Sequence, residues 1–382
     1  MANKINEVER SEYISSQIIT YMGNKRKLLG IIGDTIEKIS KDLGKKEITI
    51  GDGFSGSGVV SRLFKTMSRE LYTNDLAGYS KTLNECYLAN PSEKDKEKIK
   101  KYIDEANKLG NEKKENMPTN IKWISKHWSP TEKEIKEGDR AYFTNENGKR
   151  IDVMRNYIES IPTKYKSYVL GPLLVESSIH NNTNGQFSAY FKDGNKGAYG
   201  GKNKVDIKRI TKNIEIPYPL FEGSKCKVHI SQKDTNEWAK ETEVDIMYYD
   251  PPYNKHPYNI YYFMLDIINN WDKTIDIPDT NRGQPTDRVK SAYNSIKNAK
   301  NAMIDLIKNT RAKYILLSYN DGGIIPIKEL DELLEESNYG NIIKIPIDHK
   351  TYNRLKGLSD YKRKGEYKPV KEYLYVCTKL KT

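Results

Sequence analysis

Two consecutive prolines close one short apolar run of the chain. Glu243 to Tyr249 reads Glu-Val-Asp-Ile-Met-Tyr-Tyr, and Asp250-Pro251-Pro252-Tyr253 follows directly. A run so short and apolar is the pattern of a parallel-sheet strand covered on both faces. Proline has no backbone N–H and a fixed φ, so the strand must end there and leave the sheet extended and stiff. The fold must therefore set a carboxylate, a rigid turn and an aromatic ring at the carboxyl edge of a strand. In open α/β sheets that edge binds ligands.

This set suits one kind of chemistry. An exocyclic amine on a nucleobase is a poor nucleophile, because its lone pair is delocalised into the ring. A carboxylate (Asp250) and a rigidly aimed carbonyl (that of Pro251, held by Pro252) can each accept one of its two N–H bonds. The nitrogen is thereby drawn toward a tetrahedral shape and its lone pair freed. Tyr253 offers a face for stacking. A base inside a duplex cannot reach such a pocket and must be flipped out, at a cost of a few kcal/mol. The plain alternative for the four residues is a strand-ending Asp-Pro turn.

A second constraint lies near the amino terminus. Glu47-Ile-Thr-Ile50 reads as a strand, Gly51-Asp-Gly-Phe-Ser-Gly-Ser-Gly58 as a glycine-rich turn and Val59 to Phe64 as a helix. Strand, turn and helix in that order open a nucleotide-binding βαβ unit. The spacing of Phe54, Gly56 and Gly58 is not GxGxxG, and no Lys-Ser/Thr of a phosphate loop follows, which argues against phosphoryl transfer. Leu71-Tyr-Thr reads as the next strand, and Asp75 beyond it stands 19 residues after Gly56. A ribose-binding acid stands about 20 residues after such a turn. Ahead of all this, Tyr21 and Lys25 flank the Gly23-Asn24 turn and the start of an apolar helical pattern through Leu28, Leu29, Ile32, Ile36 and Ile39. A helix-capping turn with a surface lysine is the simpler account of that stretch.

The middle of the chain reads differently. Residues 92–118 are rich in Lys and Glu and predict a solvated helix or loop. Ser129-Pro130-Thr131-Glu132 has the form of a capping box and predicts a helix start. His180 to Lys204 is rich in Asn, Gln, Gly, Tyr and Lys, residue types that read base edges and meet phosphate. Asn181, Asn182, Asn184, Gln186, Tyr190, Lys192, Lys202 and Lys204 are its candidate DNA contacts, with a mobile surface loop as the alternative. Strands are expected at Lys227–Ile230, Tyr314–Tyr319, Ile342–Ile347 and Tyr373–Cys377. Lys350–Lys368 is a second basic, aromatic stretch suited to DNA backbone or a flipped base. With 64 Lys and Arg against 52 Asp and Glu, the chain carries a net charge of +12, as a partner of a polyanion would. Three dispersed cysteines fit a reducing compartment and no zinc site or other metal centre. Neither a signal peptide nor a membrane span is expected, so the expected location is the bacterial cytoplasm, at the nucleoid.

Tyr21-Met-Gly-Asn-Lys25, Asp52-Gly-Phe-Ser-Gly-Ser-Gly58, Asp75, Asp234 and Asp250-Pro-Pro-Tyr253, in that order, resemble the Dam-like (D12 class, alpha-type) adenine-N6 DNA methyltransferases. The resemblance covers the first 90 residues and roughly 215–382. It implies an α/β fold, the class I S-adenosylmethionine-dependent methyltransferase sheet, with an inserted target recognition domain in residues 91–214. It implies S-adenosyl-L-methionine as cofactor, with Tyr21 and Lys25 in the amino-terminal cofactor motif and Phe54, Gly56 and Gly58 beside its methionine part. Asp75 would meet its ribose and Asp234 its adenine amine, with Asp52, Thr235 and Asp250 also facing it. Asp250, Pro251, Pro252 and Tyr253 would form the catalytic set. The partner is double-stranded DNA; a cognate restriction endonuclease can share the system without binding, and a monomer or weak dimer is expected. Asp52-Gly53 stands where the family commonly has Asp-Pro.

The alternatives are separable. Cytosine-N4 methylation needs the same amine chemistry, but Asp rather than Ser before Pro-Pro-Tyr favours adenine. An RNA or protein-amide substrate is a further rival, and Asn-Pro-Pro-Tyr suits the amide better. A silent sequence-specific DNA-binding protein would not need Asp250, Tyr253 and the glycine turn intact. A nicotinamide dehydrogenase explains the glycines and leaves Asp-Pro-Pro-Tyr without a role.

Overall fold

The computed structural model describes residues 12–23, 25–255, 257–287, 290–347 and 371–380. The basic stretch Lys350–Lys368 lies outside them.

Seven strands form one sheet: β1 (Thr49–Asp52), β2 (Glu70–Asn74), β3 (Lys227–Ser231), β4 (Glu243–Tyr249), β5 (Arg311–Asn320), β6 (Tyr339–Ile347) and β7 (Glu372–Lys379). Their order is β3-β2-β1-β4-β5-β7-β6. All neighbours are parallel except those of β7, which runs against both β5 and β6. The expected strands are thus present, β1 reaching two residues further than its apolar pattern so that Asp52 closes it. The architecture is mixed α/β with a mostly parallel sheet between helices, consistent with a methyltransferase fold.

The apolar runs are explained by coverage of both faces. In β4, Met247 and Tyr249 point to one buried layer while Ile246 and Tyr248 point to the other. In β5, Ile315, Leu317 and Tyr319 join the first layer, and Tyr314 and Leu316 the second. Helices α1 (Leu29–Leu43) and α2 (Val59–Met67) cover the second layer; their Ile32, Ile36, Ile39 and Phe64 are buried in it.

A third buried layer is helical. It joins α3 (Gly78–Tyr87), α4 (Glu93–Glu112), α5 (Asn145–Ser160), α6 (Thr163–Ile179) and the helix Phe263–Asn270 that follows the double proline. One expectation holds in part here and one fails. Residues 93–112 are the expected helix and are largely solvent-facing, but Ile99, Ile103, Ala106 and Gly110 fall on one face and are buried, which packs it on the core. Four positions suffice when their spacing is helical. No helix starts at Ser129-Pro130. The Ser129 side chain is buried without a partner against α5 at Gly148, so it cannot cap. The cap is Thr144, whose hydroxyl accepts the Asn147 N–H at 3.0 Å and starts α5.

The strand order reverses between β1 and β4. In an open α/β sheet, the carboxyl ends beside such a reversal border the ligand crevice. Asp52 ends β1 there, and Asp250 follows β4.

Candidate active site

The crevice is a cavity of about 700 Å³. Ten of the sequence-predicted residues line it: Tyr21, Lys25, Asp52, Phe54, Gly56, Asp75, Asp234, Thr235, Asp250 and Pro252. Gly58, Pro251 and Tyr253, also expected there, are not among the residues that line it. The remaining expected contacts, on residues 181–204, do not line it, although Gln186 Nε2 lies 3.3 Å from Sδ of Met22, which does.

The glycine turn is shaped by what crowds it. Gly53 donates its N–H to the Tyr248 carbonyl at 3.0 Å, a bond no proline can make, and a Cβ there would lie 2.7 Å from the Tyr249 ring. That is the physical reason for Asp-Gly in place of Asp-Pro. Gly56 adopts φ +51°, and its Cβ would lie 2.9 Å from Tyr21. Gly58, at φ +76°, caps α2. The Gly56 N–H donates to Asp75 Oδ2 at 2.8 Å and the Ala77 N–H to Oδ1 at 2.9 Å. The Leu76 N–H bonds the same carboxylate, which leaves it acceptor capacity toward the cavity, since a carboxylate has about four lone-pair sites. Burial raises the Asp75 carboxyl above its ordinary range, against the pull of those N–H groups.

Tyr21 is placed from two sides. Buried Arg62 donates to the carbonyls of Tyr13 (2.8 Å), Ser16 (2.7 Å) and Gln17 (2.7 Å), which pins the segment leading to it. Its ring then stacks on Tyr258 (centroids 5.1 Å apart) and Tyr262 (4.7 Å). At the other end of the cavity, Asp234 caps the helix Thr235–Glu241, its Oδ1 accepting from Asn236 and Glu237. Asp234 is thus a helix N-cap, and its exposed carboxylate also faces the cavity. Phe54 meets Tyr293 edge-on at 5.3 Å close by.

Asp250 lies at the bottom. Lys25, buried at 2% exposure, is no surface lysine: its Nζ is 2.9 Å from Asp250 Oδ1 and equally far from Glu372 Oε1. Burial works against the Lys25 ammonium, but Asp250, Tyr253 and Glu372 together hold its pKa well above the ordinary value. Burial raises the Asp250 carboxyl to about 6, with Lys25 pulling the other way. Asp52 is pushed to about 7 by burial, although Ser61 donates to it at 2.6 Å. Tyr253 packs edge-on against Tyr319, and its carbonyl accepts the Ile324 N–H at 2.8 Å. The result is a cavity of small-ligand size faced by several carboxylates and tyrosine rings.

Several cavity residues carry no motif. Asp266 projects from the helix after the double proline and is raised to about 7 by burial and by Asp75. Tyr79, Tyr258 and Tyr293 form walls. Part of the rim, Asp276 and Pro285 to Asp287, belongs to a segment strapped to the middle of the chain. Arg140 donates to the carbonyls of Thr280 (2.9 Å) and Pro278 (2.9 Å), and Trp128 Nε1 to that of Gly283 (3.1 Å). No local pattern marks these residues; only the tertiary fold brings them in.

The candidate DNA contacts divide. Asn181 and Asn182 are fully buried. Asn181 donates to the carbonyls of Ser177 and Ser178, and Asn182 to those of Ala141 and Ala198 while accepting from Gly200. Tyr190 is buried too. These three side chains build the segment rather than face outward. Asn184, Lys202 and Lys204 are exposed, and Gln186 and Lys192 half-buried.

Among the described residues, no helix is long and apolar enough to cross a membrane. Comparison with known proteins agrees with the geometry. Type II methyltransferase M.NlaIII of Neisseria lactamica is 27% identical, over 94% of this chain and 99% of that protein. Modification methylase StsI of Streptococcus sanguinis is 28% identical over 85% of this chain, and modification methylase LlaI of Lactococcus lactis subsp. lactis 28% over 93%. The chain spans about half the length of these last two, 47% and 54%. The family model for D12 class N6 adenine-specific DNA methyltransferases matches residues 21–332, from the ring that stacks beside the glycine turn past the whole double-proline strand. The chain therefore belongs to the D12 class of N6 adenine-specific DNA methyltransferases.

Proposed function

We propose that the cavity binds S-adenosyl-L-methionine and that Asp250, with the carbonyl of Pro251, holds the N6 amine of an adenine flipped out of duplex DNA. The observation that carries this reading is the convergence of Asp75, Asp234, the glycine turn and Asp250 on one cavity at the strand-order reversal. The cofactor supplies a methyl group activated by a sulfonium. Asp75 offers acceptors to its ribose and Asp234 to its adenine amine, with Phe54 and Thr235 beside them. Tyr21 packs on Gly56 beneath the methionine part. The amine donates one N–H to Asp250 and one to the Pro251 carbonyl, which frees the nitrogen lone pair, and Tyr253 stacks on the base. Catalysis is then positioning plus electrostatics.

Residues 91–214 are proposed as the target recognition domain, between catalytic portions 1–90 and 215–382. Asn184, Gln186, Lys192, Lys202 and Lys204 are the contacts that remain open to DNA. A restriction-modification system is the setting that fits the names of the relatives, with a cognate endonuclease acting on the same sequence. The test is expression in a bacterial host without DNA methylation, followed by direct sequencing of modified bases. N6-methyladenine at one recurrent sequence is expected, and Asp250→Ala should abolish it while duplex binding persists. N4-methylcytosine instead would retain the amine chemistry and overturn the adenine assignment.

A further inference from the structure

The buried lysine is shared between two carboxylates. Lys25 Nζ meets Asp250 Oδ1 at 2.9 Å, Glu372 Oε1 at 2.9 Å and the Gly23 carbonyl at 3.0 Å. Two carboxylate oxygens and one carbonyl thus surround the ammonium. Glu372 opens β7, the reversed strand, and stands in register with Asn320 of β5. Its Oε1 also accepts the Ser318 hydroxyl at 2.9 Å, which fixes it from β5. It is 5% exposed. Neither end of this arrangement is near the other in sequence.

We propose that Glu372 is a positioning residue of the methyl-transfer site, holding Lys25 between two carboxylates so that the site keeps one net negative charge. The proposal rests on the reading of Asp250 as the acceptor of the target amine. In the reaction the amine nitrogen gives its lone pair to the methyl carbon. The carbon–sulfur bond breaks with its electron pair going to sulfur. The nitrogen carries the positive charge until one of its protons passes to Asp250. Lys25 and Asp250 alone would be a neutral pair and offer little to that charge. With Glu372 engaging the same ammonium, the carboxylate facing the amine is only partly compensated, and the developing cation meets a field arranged before the reaction begins.

The groups facing Asp250 come from several elements. They are Lys25 from the turn before α1, Asp52 at the end of β1, Tyr248 on β4, Tyr253 and Tyr258 after it, and Glu372 on β7. Burial is the main cause that raises the Asp250 carboxyl; Lys25 lowers it and Glu372 adds to the rise. Neutralising Glu372 therefore lowers the pH at which Asp250 loses its proton. Loss of packing alone would lower the rate alike at every pH and leave that pH where it is, so the role requires the fall in rate and the moved acid limb together.

The experiment is single-turnover methylation of a duplex oligonucleotide carrying the enzyme's own site, at saturating S-adenosyl-L-methionine from pH 5 to 8.5, by the full-length wild type and Glu372→Gln. The expected result is a 10- to 100-fold lower rate at pH 7.5, DNA affinity within twofold, and an acid limb moved to lower pH. An unchanged rate, or an acid limb that is the same in both enzymes or absent from both, overturns the proposal. If Glu372→Gln does not fold, the same profile is read on Glu372→Asp, whose charge is drawn back by one methylene. A smaller shift in the same direction is then expected, and an unshifted limb overturns the proposal equally. A wild type that leaves adenine unmethylated overturns the reading of the site itself, whereas a methylating wild type beside an unaltered Glu372→Gln enzyme overturns only the role of Glu372.

Discussion

A glycine at position 56 has two independent reasons to be there. Its φ of +51° disfavours a side chain, and a Cβ would press on Tyr21 at 2.9 Å. Gly56→Ala should therefore cost about 1–2 kcal/mol of backbone strain and move the ring it touches. We expect S-adenosyl-L-methionine binding, measured by calorimetry, to weaken at least tenfold; unchanged affinity would remove Tyr21 from the cofactor site. Asp250 makes a second residue-scale prediction. Its carboxyl is raised to about 6 and must be ionised to accept the amine, so the wild-type single-turnover rate should fall tenfold per pH unit below that point and level off above it. At this scale the sequence was largely readable, because a strand, two prolines and a glycine turn are local signals. Lys25 was readable as a position but not as a partner. Its two carboxylates come from β4 and β7, and no spacing rule links strands that distant.

Elements were readable where periodicity was strong and misread where side-chain packing decided. Lys and Glu dominate residues 93–112, yet four buried positions pack this helix on the core. Ser129 has capping chemistry but is packed away from any helix start, while Thr144 has the same chemistry and the right place. The Asn-rich segment teaches the same lesson. Composition alone does not tell a base-reading Asn from one that ties a loop together. The structure separates them, and stability can check it. Asn182→Ala leaves the Gly200 N–H and the buried Ala141 carbonyl without their partner and should cost about 2 kcal/mol or more, seen in denaturant unfolding. Lys202→Ala should leave stability within about 0.5 kcal/mol but lower the salt-dependence slope of DNA binding by about 1. The reverse pattern would exchange their roles.

The whole molecule carries several acids in the wrong solvent. Asp52 and Asp266 are raised to about 7, and Asp152 and Asp250 to about 6, each mainly by burial. A carboxyl raised in the folded state binds its proton more tightly folded than unfolded. Its contribution to stability is complete below the ordinary carboxylate range and is lost as pH rises through 6 to 7. The unfolding midpoint should accordingly fall between about pH 4 and 7 and level off above, and Asp266→Asn should flatten that slope, as calorimetry across the interval would show. The overall charge of +12 was visible at once, whereas this inner acidity was not, since it depends on where the fold buries each side chain.

The strap that Arg140 and Trp128 place on residues 278–283 has a consequence for inheritance. One rim of the reaction chamber is held by the part of the chain proposed to choose the DNA sequence. A chimaera that exchanges residues 91–214 for those of a relative would break these bonds and leave the rim without its moorings. The graft should work only when residues 277–287 travel with it, so that specificity and chamber wall are passed on as one unit, and new sequence preferences in this lineage should arise more readily by altering exposed side chains than by swapping the block.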